Sequence, residues 1–255
     1  RGDGGRIIAY ADRFTAFAGH ALARGGTRGG DGGFVEASAP ALHFNGTVDL
    51  SAIAGRTGTL LFDPTNINIV DGGGAADDGN LPDLSDATRG GGNFVISEQA
   101  LEALAADADL VLEATNDITI EDIADDRIAL PIGGGSVTFH ADFDADGAGQ
   151  IVFNDAADTL LTEGGAVTLI ASDMTLGAID TTGASGTVTG GSVTIETATA
   201  AANLAVGDDP GGNRLHLDPG ELGAIASDTL TLNAEADVVV DNVPAGTTSA
   251  IPTVV

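Results

Sequence analysis

The residues with the clearest chemical potential are three carboxylates at alternate positions, Asp142, Asp144 and Asp146, followed at once by Gly147. Hard cations such as Ca²⁺ bind carboxylate oxygens, and a glycine lets the chain turn sharply around the ion. An EF-hand would also need an acid at the twelfth loop position, which is Phe153 here. The spacing therefore predicts a calcium loop of another kind, with a solvated acidic turn as the alternative. We expect no obligatory cofactor, and Ca²⁺ is the single candidate ligand.

Glycosidases use two carboxylic acids for catalysis, and three pairs of adjacent aspartates in this chain are of the right residue type. They are Asp77-Asp78, Asp125-Asp126 and Asp208-Asp209. Such a site would need basic side chains beside the acids, but the chain has no lysine, and Arg127 and Arg214 are the only arginines beyond residue 90. Solvated turns explain these pairs better than catalysis does.

The remaining residues of catalytic or ligating type are scattered. The histidines His20, His43, His140 and His216 form no HxH or HxxxH pair, so we expect outward-facing strand positions rather than a metal site. The chain has no cysteine, which excludes disulfides and thiolate chemistry. It also has no Gly-x-Ser-x-Gly elbow of a serine hydrolase. The sequence therefore predicts a protein that is not an enzyme.

The charge of the chain restricts its partners. It has 38 acidic and nine basic residues, all nine of them arginine, for a net charge of −29. Such a surface repels nucleic acid and anionic lipid. No stretch approaches the roughly 20 apolar residues of a membrane-spanning helix. Because the sequence starts at Arg1 without a signal segment, we expect an excised piece of a longer secreted protein.

Two short sequence units alternate along the chain. The first is a Gly-Gly corner followed by a strand with apolar residues at alternate positions. It occurs in five imperfect copies, at 32–38, 91–96, 134–141, 164–171 and 190–195. The second unit is an apolar strand, an alanine and then an aspartate before another apolar strand, as at 110–120 and 230–240. Strands and corners in this alternation are typical of a solenoid.

The predicted fold is accordingly all-β, a parallel β-helix. One coil of roughly 25 residues cannot bury its inward side chains alone, so coils stack at about 4.8 Å each. About ten coils would form a rod on the order of 50 Å long. Because only 4% of the residues are aromatic, we expect a core of Val, Ile, Leu and Ala.

Three segments depart from the repeat. Residues 71–92, rich in glycine and aspartate, predict a loop excursion. Residues 97–106 predict one short flanking α-helix, and a second short helix fits 219–226. Residues 243–255 lose the repeat and are expected to be a linker, a cap or a strand that pairs with another subunit. The chain then divides into a single β-helix segment, 1–242, and this tail.

Two shorter signals are ambiguous. Phe14 and Phe17 have helical spacing, or lie on opposite arms of a loop. Asn45-Gly46-Thr47 matches a glycosylation sequon, but Asn-Gly is also ordinary turn chemistry at a strand corner. We interpret the second signal as a turn.

A series of segments in the first 70 residues resembles the filamentous-haemagglutinin family, large exoproteins exported by two-partner secretion systems of Gram-negative bacteria. In order, they read GGRIIAYAD at 4–12, TAFAG at 15–19, ARGG at 23–26, GGDGGFVE at 29–36, GTVD at 46–49 and LLFDPTNI at 60–67. ATNDI at 114–118 and LHLDPGELGAI at 215–225 extend the likeness over most of the chain. Tyr10 stands where these repeats usually carry Trp, and the secretion domain with its Asn-Pro-Asn signatures is missing.

The resemblance implies a right-handed parallel β-helix, the hand that crossover chirality also favours. It implies a non-enzymatic structural segment of a secreted, cell-surface adhesin. The location would be extracellular, at the outer-membrane surface, and the parent exoprotein would bind a glycan or protein of a host or neighbouring cell. One alternative is a subunit of an extracellular filament or matrix, joined end to end through strands at Ile7 and Val238. A polysaccharide-acting β-helix enzyme is a further alternative that lacks a catalytic constellation.

Overall fold

The protein, described here by a computed structural model, is built mainly from parallel β-strands. The structure describes residues 2–72, 92–130, 135–182, 190–208, 211 and 214–255. Within these ranges, 25 strands form six sheets and two helices connect them. The predicted all-β class, with parallel sheets, is therefore confirmed.

The largest sheet has nine strands, and all its pairings are parallel. In spatial order they are β1 (Arg6–Tyr10), β4 (Phe34–Ser38), β7 (Thr59–Asp63), β10 (Asp109–Glu113), β13 (Ser136–His140), β16 (Ala166–Ala171), β19 (Ser192–Thr197), β23 (Thr229–Asn233) and β25 (Thr253–Val254). Nine strands span about 38 Å at the usual spacing, which is shorter than the rod expected from the sequence.

Five smaller sheets contain the remaining strands. A five-stranded sheet has the order β17 (Asp173–Thr175), β14 (Gln150–Phe153), β11 (Ile118–Ile120), β8 (Asn66–Val70), β9 (Asn93–Ser97). A four-stranded sheet has the order β12 (Arg127–Ala129), β15 (Thr159–Leu161), β18 (Ala178–Asp180), β22 (Ile225–Ala226). A three-stranded sheet has the order β21 (Arg214–Leu217), β20 (Asn203–Gly207), β24 (Val238–Asp241). Two sheets have only two strands each. One pairs β2 (Phe14–Phe17) with β5 (Ala41–Phe44), and the other pairs β3 (His20–Leu22) with β6 (Thr47–Asp49).

Consecutive strands pair as triplets. β1, β2 and β3 pair with β4, β5 and β6, respectively. In the same way, the strands β10, β11 and β12 pair in this order with β13, β14 and β15. These last three strands pair in turn with β16, β17 and β18. The first two triplets share one set of three sheets, and the three triplets from β10 to β18 share another, and every one of these triplets begins in the nine-stranded sheet.

Alternation of side chains along each strand creates the core. In β7, β10 and β13 every second residue is buried and the others are half-buried. Nearly all the buried apolar residues belong to one continuous cluster along the chain. Glycines lie where neighbouring corners touch, since a Cβ on Gly33 or Gly191 would overlap the carbonyl oxygen of Gly5 or Gly165. The Gly-Gly corners therefore permit close stacking of adjacent backbones.

Phenylalanine contributes more to the core than the sequence suggested. Phe62, Phe94 and Phe139 are among its largest fully buried side chains. Phe14 and Phe17, expected in a helix or a loop, both lie in strand β2. The core consists mainly of Val, Ile, Leu and Ala, as expected, and inward strand positions add these aromatic rings.

The predicted helix is confirmed as α1 (Glu98–Ala105). The Ser97 hydroxyl accepts a hydrogen bond from the Ala100 N–H at 3.2 Å and caps its first turn. Leu101 and Leu104 are buried within the main core cluster. The helix therefore packs its apolar stripe against the core, as expected of a flanking helix.

A second helix, α2 (Pro219–Gly223), is shorter than the predicted 219–226 because β22 follows it. Asp218 and Glu221 form a reciprocal capping box at its start. Neither helix in the described ranges has the length and apolar character needed to cross a membrane.

Two features of the repeat go beyond what the sequence specifies. The Gly-Gly copy at 91–96 leads into β9, which joins the five-stranded sheet, whereas the other four copies lead into the nine-stranded sheet. The tail also returns to the sheet, because β25 pairs with β23 and Ile251 is buried. Of the predicted excursion at 71–92, residues 73–91 lie outside the described ranges.

Candidate functional site

The three carboxylates predicted to bind calcium come together in the loop between β13 and β14. One oxygen from each of Asp142, Asp144 and Asp146 lies within 4.8 Å of the other two. Asp142 is buried, whereas Asp144 and Asp146 are exposed. Among the described residues this is the one group of three or more His, Cys, Asp or Glu side chains close enough to share a metal ion.

Asp142 also fixes the shape of the loop. Both its carboxylate oxygens accept a hydrogen bond from the Gly147 N–H at 3.1 Å, and the Thr199 hydroxyl donates to Oδ2 at 2.9 Å. Its φ of 57° lies in the left-handed region, which aspartate tolerates better than most residues. A carboxylate oxygen has two lone pairs, so these bonds leave capacity for a cation. Asp146 Oδ1 accepts the Ala148 N–H at 3.0 Å.

Of the acid pairs considered for a glycosidase, the structure describes Asp125-Asp126 and Asp208. Asp77-Asp78 and Asp209 lie outside the described ranges. Asp126 occupies the corner before β12 with a φ of 55°. The pKa of the nearby buried Asp158 is raised, first by burial and then by neighbouring acids that include Asp126. Asp158 is a structural acid in this corner, since its carboxylate accepts the Ile123 N–H at 3.3 Å.

The structure also brings together a second titratable pair that the sequence does not reveal. Glu113 and His140 are register partners on the outward face of the nine-stranded sheet, with 3.9 Å between Glu113 Oε1 and His140 Nδ1. Burial, and then the charges of Asp63 and Glu36, raise the pKa of Glu113. Burial lowers the pKa of His140. Only the strand register could have revealed this pair, because its members are far apart in the sequence.

The histidines face outward, as predicted. His20 Nδ1 lies 2.6 Å from the Thr47 hydroxyl, and His216 Nε2 lies 2.8 Å from the Gly207 carbonyl oxygen. His43 and His140 are half-buried on different sheets. No two histidines belong to one metal-ligating group in the described part of the chain.

A groove of about 270 Å³ lies between α1 and the corner that joins β5 to β6. Its walls are mainly apolar, and the residues that line it include Phe44, Ile96, Ala100 and Leu104. Asn45, Gly46 and Thr47 supply its polar rim together with Asp107. The groove exists because a helix, rather than another strand, lies beside this corner.

No family model matches the chain, and neither do any curated proteins or solved structures.

Proposed function

We propose that the chain is a right-handed parallel β-helix that serves as a non-enzymatic structural segment of a secreted exoprotein of the filamentous-haemagglutinin type. Such a segment holds adhesive regions of its parent protein away from the surface of a Gram-negative cell. Those regions would bind a glycan or protein on a host or neighbouring cell.

One observation carries the proposal: three consecutive strands pair in order with the next three. β10 lies beside β13, β11 beside β14, and β12 beside β15. A single parallel sheet could arise in many α/β folds, but those folds connect their strands through helices. Between β10 and β13, and again between β13 and β16, the chain instead passes through two short strands of other sheets, as the proposed stacked coils require.

The positions of the resembling segments support the same family. The segment at 4–12 contains β1, the segment at 29–36 leads into β4, and the segment at 60–67 joins β7 to β8. Each of the three segments therefore includes part of a strand of the nine-stranded sheet. Stacked coils give stiffness, and the net charge of −29 opposes lateral clumping.

We include Ca²⁺ in this proposal as a ligand of the loop at 142–147. The support is the convergence of three carboxylate oxygens within 4.8 Å on a loop that Asp142 already shapes. Calcium would bind oxygen ligands there and neutralise part of the local negative charge.

Export provides the experiment. The chain is fused behind a secretion domain of this family, carries a terminal epitope tag, and is produced in a Gram-negative strain with the matching transporter. We expect the tag on the cell surface, accessible to added protease. Retention in the periplasm, while the secretion domain alone is exported, would contradict the proposal. Long fibres of the purified chain by electron microscopy would instead favour end-to-end assembly.

A further inference from the structure

The corner between β5 and β6 contains an unusual asparagine-glycine pair. Where glycine follows an asparagine or an aspartate, its backbone nitrogen can attack the side-chain carbonyl carbon of that residue, because glycine has no Cβ to obstruct the approach. The described residues contain five such pairs, at 3–4, 31–32, 45–46, 71–72 and 146–147. In four of them the glycine N–H donates a hydrogen bond, to Asp31 O, Arg56 O, Glu98 Oε2 and the Asp142 carboxylate in chain order. Gly46 N–H donates to no residue that the structure describes.

The Asn45 side chain is equally unrestrained. It is exposed, and its amide makes no hydrogen bond within the described ranges. Seven other asparagine side chains are each tied to a neighbour, namely those of residues 66, 68, 93, 154, 203, 233 and 242. The side chain of Asn116 is also exposed and makes no hydrogen bond within the described ranges. However, the residue after it is Asp117, whose N–H donates a hydrogen bond to Asn66 Oδ1. Among the asparagines that the structure describes, only Asn45 therefore combines an exposed side chain without a hydrogen bond and a following glycine N–H that donates to no described residue.

From this combination we propose that Asn45 is a site of spontaneous deamidation through a cyclic imide with Gly46. The fold maintains the reactive pair, because a Cβ on Gly46 would lie 2.6 Å from the Phe17 ring. Packing thus demands glycine at the position that makes the asparagine reactive. A groove lies between this corner and helix α1, and Asn45 and Gly46 both line it.

The reaction needs only water. The Gly46 nitrogen forms a bond to Asn45 Cγ, and the side-chain nitrogen departs as ammonia with the proton from the Gly46 N–H. Water then opens the imide. Cleavage at Cγ gives aspartate, and cleavage at the backbone carbonyl gives isoaspartate. The balance is uptake of water and release of ammonia, without oxidant or cofactor.

The product alters the corner in two ways. Either product adds a negative charge to a chain that already has a net charge of −29. Isoaspartate also lengthens the backbone by a methylene between two hydrogen bonds, from Asn45 N–H to Phe17 O at 2.8 Å and from Thr47 N–H to Gly19 O at 2.9 Å. Both bonds attach β5 and β6 to their neighbours, so we expect the pairing of this corner to loosen.

Peptide mapping by mass spectrometry tests the proposal on the folded, full chain. The protein is incubated in mildly alkaline buffer prepared with ¹⁸O-labelled water, and the peptides containing Asn45 and Asn116 are followed over time. We expect conversion of Asn45 with incorporation of the label, while Asn116 keeps its amide. The variant Asn45→Gln should lose the signal without loss of folding.

Two results would overturn the inference. Equal conversion of Asn45 and Asn116 would mean that side-chain freedom alone controls the reaction, and not the Gly46 N–H. An intact Asn45 in the folded chain, with conversion in a synthetic peptide of residues 41–49, would mean that the fold protects the pair. The test does not depend on the proposed function, because it involves no secretion or binding.

Discussion

Phe62 and Phe94 lie with their ring centroids 4.8 Å apart, although one belongs to the nine-stranded sheet and the other to the five-stranded sheet. Phe44 meets Phe62 at 4.9 Å, and Phe17 stacks on Phe44 at 5.0 Å. The four rings form a continuous column that joins three sheets at the amino-terminal end of the core.

This column predicts a strong dependence of stability on Phe62. Its side chain is fully buried, so Phe62→Ala should lower the free energy of unfolding by about 3–5 kcal/mol. The adjacent Leu61 faces outward and is half-buried, and Leu61→Ala should cost about 1 kcal/mol. Urea denaturation of both variants measures the difference. Equal losses would contradict the inward and outward assignment of β7.

Removal of two buried hydroxyls at equivalent corners should have different effects on the stability of the protein. The Thr162 hydroxyl donates to the Gly165 carbonyl at 2.8 Å, so Thr162→Val should cost about 1–3 kcal/mol. The buried Ser227 hydroxyl has no hydrogen-bond partner among the described residues, so Ser227→Ala should leave stability unchanged or raise it. Thermal unfolding of the two variants tests this contrast, and a clear loss in Ser227→Ala would show a partner for its hydroxyl.

Calcium should stabilise the chain through the exposed acids of the loop. At a hundredfold excess over its dissociation constant, one bound ion would add about 2.7 kcal/mol to the free energy of unfolding. The double variant Asp144→Asn with Asp146→Asn should abolish this gain, whereas Asp173→Asn, at an exposed acid in β17, should keep it. Titration calorimetry with and without chelator provides the measurement. Equal binding by all three proteins would indicate non-specific attraction to an acidic surface.

Glu113 should make stability fall as the pH rises above its unfolded pKa of 4.5. Burial raises the pKa of Glu113 in the folded protein. Its contribution to the free energy of unfolding is therefore fully present below pH 4.5 and is lost as the pH rises through the folded pKa. The variant Glu113→Gln should therefore match the parent in acid and exceed it at neutral pH. Urea denaturation across this range tests the sign, and a variant that is less stable at neutral pH would contradict it.

Asp49 should show the opposite dependence. Hydrogen bonds from Arg24 and Ser51 lower its folded pKa from 3.8 to about 2. Its contribution is present above pH 3.8 and disappears as the pH falls through 2. Because Arg24 is largely exposed, Asp49→Asn should cost about 1 kcal/mol or less at neutral pH. The same denaturation series should show this cost vanishing in acid.

Local features were predictable from the sequence where local chemistry determines them. The helix at Glu98–Ala105 was predicted because Ser97 is a good cap and Leu101 and Leu104 lie on one face. Glycine pairs predicted the corners, and alternation predicted which strand residues are buried. The convergence of Asp142, Asp144 and Asp146 followed from their spacing within one loop.

Features that depend on register were not predictable. β9 begins with the same Gly-Gly unit as β16, but the chain inserts it next to β8 in another sheet. The pairing of Glu113 with His140 and the contact of Phe62 with Phe94 both join residues from different strands. Periodicity tells which face a side chain occupies, but not which strand becomes its neighbour.

The most direct test of the proposed β-helix uses engineered disulfides, which the absence of native cysteine makes unambiguous. Three double-cysteine variants replace outward register partners in the three sheets that join one triplet to the next: Val111 with Thr138, Thr119 with Val152, and Arg127 with Thr159. Adjacent parallel strands place such residues within the range that a disulfide spans.

Mass spectrometry of the oxidised, unreduced monomers counts the intramolecular bonds. The stacked-coil account predicts a disulfide in all three variants and none when one partner is moved by one residue, for example Val111 with Phe139. Formation in the Val111–Thr138 variant alone would contradict the account, because it would leave a single parallel sheet without the other two walls.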